Sequence, residues 1–124
     1  VLYFLAPTCA TCAQGSQPLA RVIQAARTTG AIALAIDVNS WDRPADLEAF
    51  VRAVGQPAAS TLRWGIDPSG GIVSAYGIQT LESMVVISAS GQVFTVSATP
   101  LSPAQLTALL QQASAGASAR DAQP

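Results

Sequence analysis

The stretch Val1-Leu2-Tyr3-Phe4-Leu5-Ala6-Pro7-Thr8-Cys9-Ala10-Thr11-Cys12 decides the fold. Its first five residues form a continuous apolar run, the pattern of a strand buried on both faces. Two cysteines separated by two residues follow at once, and they are the only cysteines in a chain of 124 residues that has no histidine. From Cys12 onward, Leu19, Val22, Ile23 and Ala26 recur at helical spacing as far as Thr28-Thr29-Gly30, where Gly30 offers a C-terminal stop. The helix therefore begins at or beside Cys9. Ala31 to Val38 is a second apolar run, and strand, helix, strand within about 40 residues predicts a right-handed parallel crossover. The cysteine pair stands at its strand-to-helix switch.

Further along, Pro44 with Leu47, Phe50, Val51, Val54 and then Gly55 predicts a second helix, and Gln56 to Ser60 a loop. Thr61 to Ile66 reads as a short strand ended by the turn cluster Asp67-Pro68-Ser69-Gly70-Gly71, with a brief helix over Ile72 to Tyr76. Ser83 to Ser88 and Gln92 to Ser97 are β-rich runs joined by Ala89-Ser90-Gly91, the pattern of an antiparallel hairpin. Ser102-Pro103-Ala104-Gln105 is a capping box, and Leu106, Leu109 and Leu110 give the closing helix its buried stripe. Ala113 to Pro124 is small and polar without periodicity and is expected to be a disordered tail, leaving one domain over residues 1–112.

Composition narrows the function. Half the residues are hydrophobic, enough for a real core without a covalent staple. Six arginines, no lysine and seven acids leave no basic stripe, so neither nucleic acid nor a membrane surface is expected as a partner. No apolar run approaches the roughly 20 residues of a membrane-spanning helix. Because the chain opens directly on an interior strand with no basic leader, a signal or anchor segment is expected upstream of Val1.

The two cysteines admit three readings. Structural zinc wants four Cys or His ligands, so a metal site would have to be shared between chains. A purely structural staple closing so short a loop removes little chain entropy. A redox pair is the reading that the position favours. An N-terminal cysteine at a helix start lies where unpaired N–H groups and the helix dipole favour a thiolate, by about 0.3–1 kcal/mol. Cys9 would then attack, and Cys12, one turn in, would resolve. Without histidine, Ser-His and Cys-His hydrolase arrangements are excluded.

These residues resemble the thioredoxin-like superfamily, most closely its TlpA/ResA-type thiol-disulfide oxidoreductases. Tyr3 to Cys12 matches the strand leading into an aromatic-flanked C-x-x-C; Asp67-Pro68-Ser69-Gly70, Tyr76-Gly77-Ile78 and Val85 to Val93 match later blocks in order and spacing; Leu101 to Leu110 resembles the last helix. The resemblance implies an α/β thioredoxin-like fold: a central mixed sheet of parallel strands plus a C-terminal antiparallel hairpin, flanked by helices. It further implies reduction or exchange of disulfides on protein partners, as in cytochrome c maturation or cell-envelope redox proteins, by an extracytoplasmic monomer that needs no organic cofactor and no metal. Cys9 and Cys12 would be catalytic, and Thr8, Ala10, Thr11, Leu81 and Glu82 would contact substrate, with the Leu81 backbone pairing to it.

Several positions depart from the family. Glu82 stands where the family carries a cis-proline facing the C-x-x-C. A cis bond before a non-proline residue costs about 2.5–4 kcal/mol, so the Leu81-Glu82 bond is predicted to be trans and its loop rearranged. Facing Cys9, the carboxylate would raise the thiol pKa and make the couple less oxidising; the alternative is that Glu82 points to solvent. Thr8 replaces the usual tryptophan, and Tyr3 takes the place of a buried acid. Pro18 stands one residue later than the family's helix-bending proline, implying a local irregularity. Tyr3, Phe4, Trp41 and Trp64 read as packing residues. The rival of another class is a thioredoxin-fold binding module whose disulfide does not turn over. A peroxidase is disfavoured because Ala6 lies where a threonine would be needed.

Overall fold

Leu2–Leu5 forms β1 at the centre of a five-stranded sheet in the computed structural model, which describes residues 1–121, with side chains through Ser114. β2 (Leu34–Asp37) pairs parallel to β1, and β3 (Arg63–Ile66) pairs parallel to β2 at one edge. On the other side of β1, β4 (Met84–Ile87) runs antiparallel, and β5 (Val93–Ser97) closes the hairpin at the far edge. The order β3-β2-β1-β4-β5 is the mixed sheet with an antiparallel C-terminal hairpin that the sequence predicts. α1 (Ala10–Ala25) makes the crossover from β1 to β2; after it a 3-10 turn, Arg27–Thr29, ends on Gly30 in the left-handed conformation. α2 (Pro44–Val54) and α3 (Ala58–Thr61) connect β2 to β3, α4 (Gly71–Tyr76) connects β3 to β4, and α5 (Pro103–Asp121) follows β5.

Strand alternation splits β1 between two cores. Tyr3 and Leu5 join Ala35, Met84 and Val86 beneath Leu19, Ala20 and Ile23 of α1 and Leu106 of α5. Phe4 points the other way, into a smaller cluster with Ile36 and Val85, and its ring meets Tyr76 of α4 at 6.4 Å between centroids. Both faces of β1 are therefore dry, as its unbroken apolar run requires. Among the described residues no helix is long and apolar enough to cross a membrane.

Four local expectations change. The loop expected over Gln56 to Ser60 contains α3, whose Ala58 N–H donates to Gln17 Oε1 while Gln17 Nε2 donates to the Val54 carbonyl. A side chain on α1 thus anchors the α2–α3 connection, a long-range effect that local propensity does not register. α1 runs through Pro18 as one helix. Trp64 packs, edge-on to Phe50, but Trp41 is 77% exposed and does not. The disordered tail expected from Ala113 begins inside α5 instead: Ala113 is 5% exposed against the core, one turn beyond Leu109 and Leu110. Alanine and serine can continue a helix without any large apolar residue to mark it. Residues 122–124 of that tail lie outside the described residues.

One feature at the C-terminal end of β2 has no counterpart in the sequence reading. Asp37 is fully buried, and its Oδ1 accepts the Asn39 N–H at 2.9 Å. Its Oδ2 and the Oδ2 of Asp42 are both shielded from solvent with no donor to satisfy them. Burial, the hydrogen bond with Asp42 and the charges of Asp42 and Asp46 push the Asp37 carboxyl up to about 7, against a lowering from the Asn39 amide. A proton retained on Asp37 and donated to Asp42 gives both of these oxygens a partner.

The folded carboxyl thus titrates above its unfolded value of about 3.9, so the folded chain binds more protons between those limits. The stability from this pair is fully present below about pH 4 and is lost as pH rises through about 7. Urea midpoints measured from pH 4 to pH 8 are expected to fall across that window. In Asp37→Asn, whose amide can donate to Asp42 at every pH, that decline should flatten.

Candidate functional site

After β1 the chain turns at Ala6-Pro7-Thr8, closed by the Cys9 N–H donating to the Ala6 carbonyl at 3.0 Å. Cys9 is the N-cap of α1, with extended backbone at φ −89° and ψ 108° and no side-chain cap bond. Cys12 lies one turn inside the helix, and the two form a disulfide with Cα atoms 5.3 Å apart. Cys9 is half-buried at the surface, whereas Cys12 is fully buried in the main core. Thr8, Ala10 and Thr11 are exposed around the bridge. Strand and helix together produce this asymmetry: the strand delivers the first sulfur to the rim, and the helix turns the second inward.

The loop before β4 faces this helix end. Glu82 N–H donates to the Phe4 carbonyl at 2.7 Å, and Phe4 N–H donates to the Ser83 carbonyl at 3.0 Å. These bonds continue the β1–β4 ladder past its last paired residues and hold Glu82 beside the crossover. The Ser83 hydroxyl donates to the Thr80 carbonyl at 2.7 Å and the Thr80 hydroxyl to the Ala98 carbonyl at 2.8 Å, tying the loop at its base. Glu82 adopts φ 66°, the left-handed region, which costs a side-chain-bearing residue about 1–2 kcal/mol. As predicted, the peptide bond before it is trans; the cis bond among the described residues is Gln56-Pro57.

Glu82 does not point to solvent. Its Oε1 accepts the Tyr3 hydroxyl at 3.1 Å and its Oε2 accepts the Thr11 hydroxyl at 3.0 Å. Thr11 Oγ1 is in turn 3.5 Å from Cys9 Sγ. The carboxylate is therefore one hydroxyl away from the exposed sulfur. No acidic residue stands in the first turn of α1, so Glu82 supplies the negative charge at that helix end. Leu81 beside it is 40% exposed.

Tyr3 is a core residue as expected, but more than that. Its hydroxyl reaches both Glu82 and the Cys12 carbonyl, the latter at 3.3 Å, and the Ser16 hydroxyl donates to the same carbonyl at 2.8 Å. Burial first, then the Glu82 charge and the bond to it, push the Tyr3 phenol above its ordinary range, so it remains a donor. Gly15 completes the group. A Cβ there would lie 2.6 Å from Tyr3 Oη and 2.7 Å from Glu82 Oε1. The sequence reading took Tyr3 for packing alone and passed over Gly15, although signals existed: a phenol inside an apolar run needs a partner when buried, and a glycine inside a helical pattern usually has a packing reason.

Among the described residues no group of three or more His, Cys, Asp or Glu could hold a metal.

No protein-family model matches this chain, and no curated protein does. Solved structures do. A thioredoxin-like protein from Aeropyrum pernix aligns with a TM-score of 0.73 at 20% identity, covering 90% of this chain and 74% of the other. DsbF from MTB, solved in mixed oxidised and reduced forms, aligns at 0.75 and 19% identity, covering 90% and 78%. A thiol:disulfide interchange protein of the thioredoxin family from Chlorobium tepidum aligns at 0.68 and 16% identity, covering 91% and 77%. The chain has the thioredoxin-like fold.

Gly15→Ala is the sharpest test of this geometry. Alanine favours a helix interior over glycine by about 1 kcal/mol, whereas forcing a methyl into an occupied site costs about 1–3 kcal/mol. The variant is expected to be the less stable protein by thermal or urea unfolding. Placing the same change in Tyr3→Phe, which removes the nearer of the two oxygens, should shrink the penalty.

Proposed function

We propose that this chain is an extracytoplasmic thiol-disulfide oxidoreductase of the TlpA/ResA type, exchanging disulfides with protein partners through Cys9 and Cys12. One observation carries the proposal: a disulfide at the N-terminus of α1 with one sulfur at the surface and the other buried. Such a pair can be entered from one side only. The fold supports the reading, and two of the similar structures bear on the chemistry, one a thiol:disulfide interchange protein and one solved in oxidised and reduced forms. The working unit is the domain expected over residues 1–112, extended by the part of α5 that carries the buried Ala113.

In the disulfide form, a partner thiolate attacks the Cys9 sulfur, the Cys9–Cys12 bond breaks, and Cys12 leaves as a thiolate beneath a new mixed disulfide. A second partner thiolate releases the reduced pair and the oxidised partner. In the opposite direction, Cys9 attacks a partner disulfide and Cys12 resolves it, carrying two electrons to the partner. The donors of the first turn of α1 favour negative charge at Cys9. Glu82, one hydroxyl away, opposes it, which makes the couple less oxidising than a proline-faced one would be. Thr8, Ala10, Thr11 and Leu81 form an uncharged exposed rim on which a partner backbone can lie. Glu82 is assigned to the sulfur and not to the partner, because both its oxygens are already engaged.

Redox titration of intact protein against glutathione or dithiothreitol, followed by thiol modification, tests this. A reversible two-electron couple below roughly −200 mV is expected. Cys12→Ser should accumulate mixed disulfides through Cys9 with proteins from an envelope extract. A bridge that resists reduction in the folded state would overturn the enzyme reading and leave the binding module, which the close engagement of Glu82 by Tyr3 and Thr11 favours as its rival.

A further inference from the structure

We infer that the Thr11 hydroxyl relays a proton between Cys9 and Glu82, so that the thiol attacks as it surrenders its proton to the carboxylate. This rests on the oxidoreductase reading above and adds a route for the proton.

An ionised carboxylate only accepts hydrogen bonds, and a threonine hydroxyl has one proton and two lone pairs. Glu82 Oε1 is taken by Tyr3, and Oε2 accepts the Thr11 proton at 3.0 Å. With its proton committed, Thr11 can offer only a lone pair to the sulfur 3.5 Å away. A disulfide sulfur has no proton for it, but the reduced Cys9 thiol does. The arrangement is thus complementary to the thiol and its departing proton. A lone thiolate would find a second acceptor there.

In the reduced protein, the S–H proton of Cys9 passes to Thr11 Oγ1 as the Thr11 proton passes to Glu82 Oε2. The hydroxyl is regenerated, and the carboxyl is left protonated. The Cys9 electron pair forms the new S–S bond, the partner disulfide breaks, and its leaving thiolate takes up a proton from Glu82 by the reverse path or from water. Two electrons leave the cysteine pair once Cys12 resolves the mixed disulfide.

Three features suit Glu82 to this. The bond from its own N–H to Phe4 fixes the backbone. The Tyr3 donor holds one oxygen so that the other faces Thr11. The missing Cβ of Gly15 leaves room for the carboxylate beside the helix. Thr11 itself is exposed, so altering it does not disturb the core.

The test is the pH dependence of the second-order rate at which the reduced chain attacks 5,5′-dithiobis(2-nitrobenzoate). A relay gives the wild type an acid-side shoulder on which the thiol reacts with its proton in transit. Simple thiolate attack gives one log-linear rise. Thr11→Val and Glu82→Gln are each expected to abolish the shoulder and slow the reaction near pH 6 by about tenfold or more, a modest share of the ~10²–10⁴ that a positioned acid–base group contributes. Thr11→Ser should restore it. A wild-type profile retained in both Thr11→Val and Glu82→Gln overturns the relay. So does a change in Glu82→Gln alone, which would mean that the carboxylate acts only through its charge. In either case the redox titration of the wild type still decides the oxidoreductase reading separately.

Discussion

Two main-chain hydrogen bonds, between Phe4 and residues 82 and 83, set the chemistry of this molecule. Among the described residues, β1 is the strand that both feeds the helix carrying the sulfurs and pairs with the strand entered from the Glu82 loop. By continuing that pairing beyond the regular ladder, the bonds bring the loop and the helix start together. The contacts of Glu82 beside the disulfide depend on this register. Tyr3 lies one residue from Phe4 and reaches Glu82, and Thr11 reaches it from the other side.

The arrangement is held against local preference. Glu82 occupies a left-handed conformation that its side chain disfavours, and Gly15 occupies a helix interior where alanine would be better by about 1 kcal/mol. Hydrogen bonds to charged groups are worth about 1.5–3 kcal/mol each, and Glu82 accepts two of them. Local strain of this kind persists where surrounding contacts over-determine it, and it concentrates at functional sites. Proline at position 82 could provide neither the φ angle nor the N–H that Phe4 receives, so the loop is a different solution and not a damaged version of the proline-bearing one.

The crossover was legible in the sequence because its signals agree: an unbroken apolar strand, helical spacing from Leu19 to Ala26, and Gly30 at the stop. So was the hairpin, from two β-rich runs around Ala89-Ser90-Gly91. The placement of Cys9 at the rim and Cys12 inside follows from the same switch. What escaped depends on contacts distant in sequence. α3 is anchored by Gln17, 41 residues before Ala58. The pairing of Asp37 with Asp42 depends on burial that a short β-run does not announce. Glu82 could have faced either way until its backbone bonds to Phe4 were known, and Tyr3 gave no hint of which side its hydroxyl would serve.

Gly15 carries a consequence for how such a site could arise. With a Cβ at position 15, neither the phenol oxygen nor the carboxylate fits where it now lies. The three positions are therefore epistatic, and the order of substitution matters. A glutamate appearing first would meet a blocked helix face and gain nothing. A glycine appearing first would be only mildly harmful, opening a vacancy that a later acid could fill. The accessible route runs through the loss of a methyl group before the gain of a charge, so helix position 15 acts as the permissive step for the chemistry at position 82.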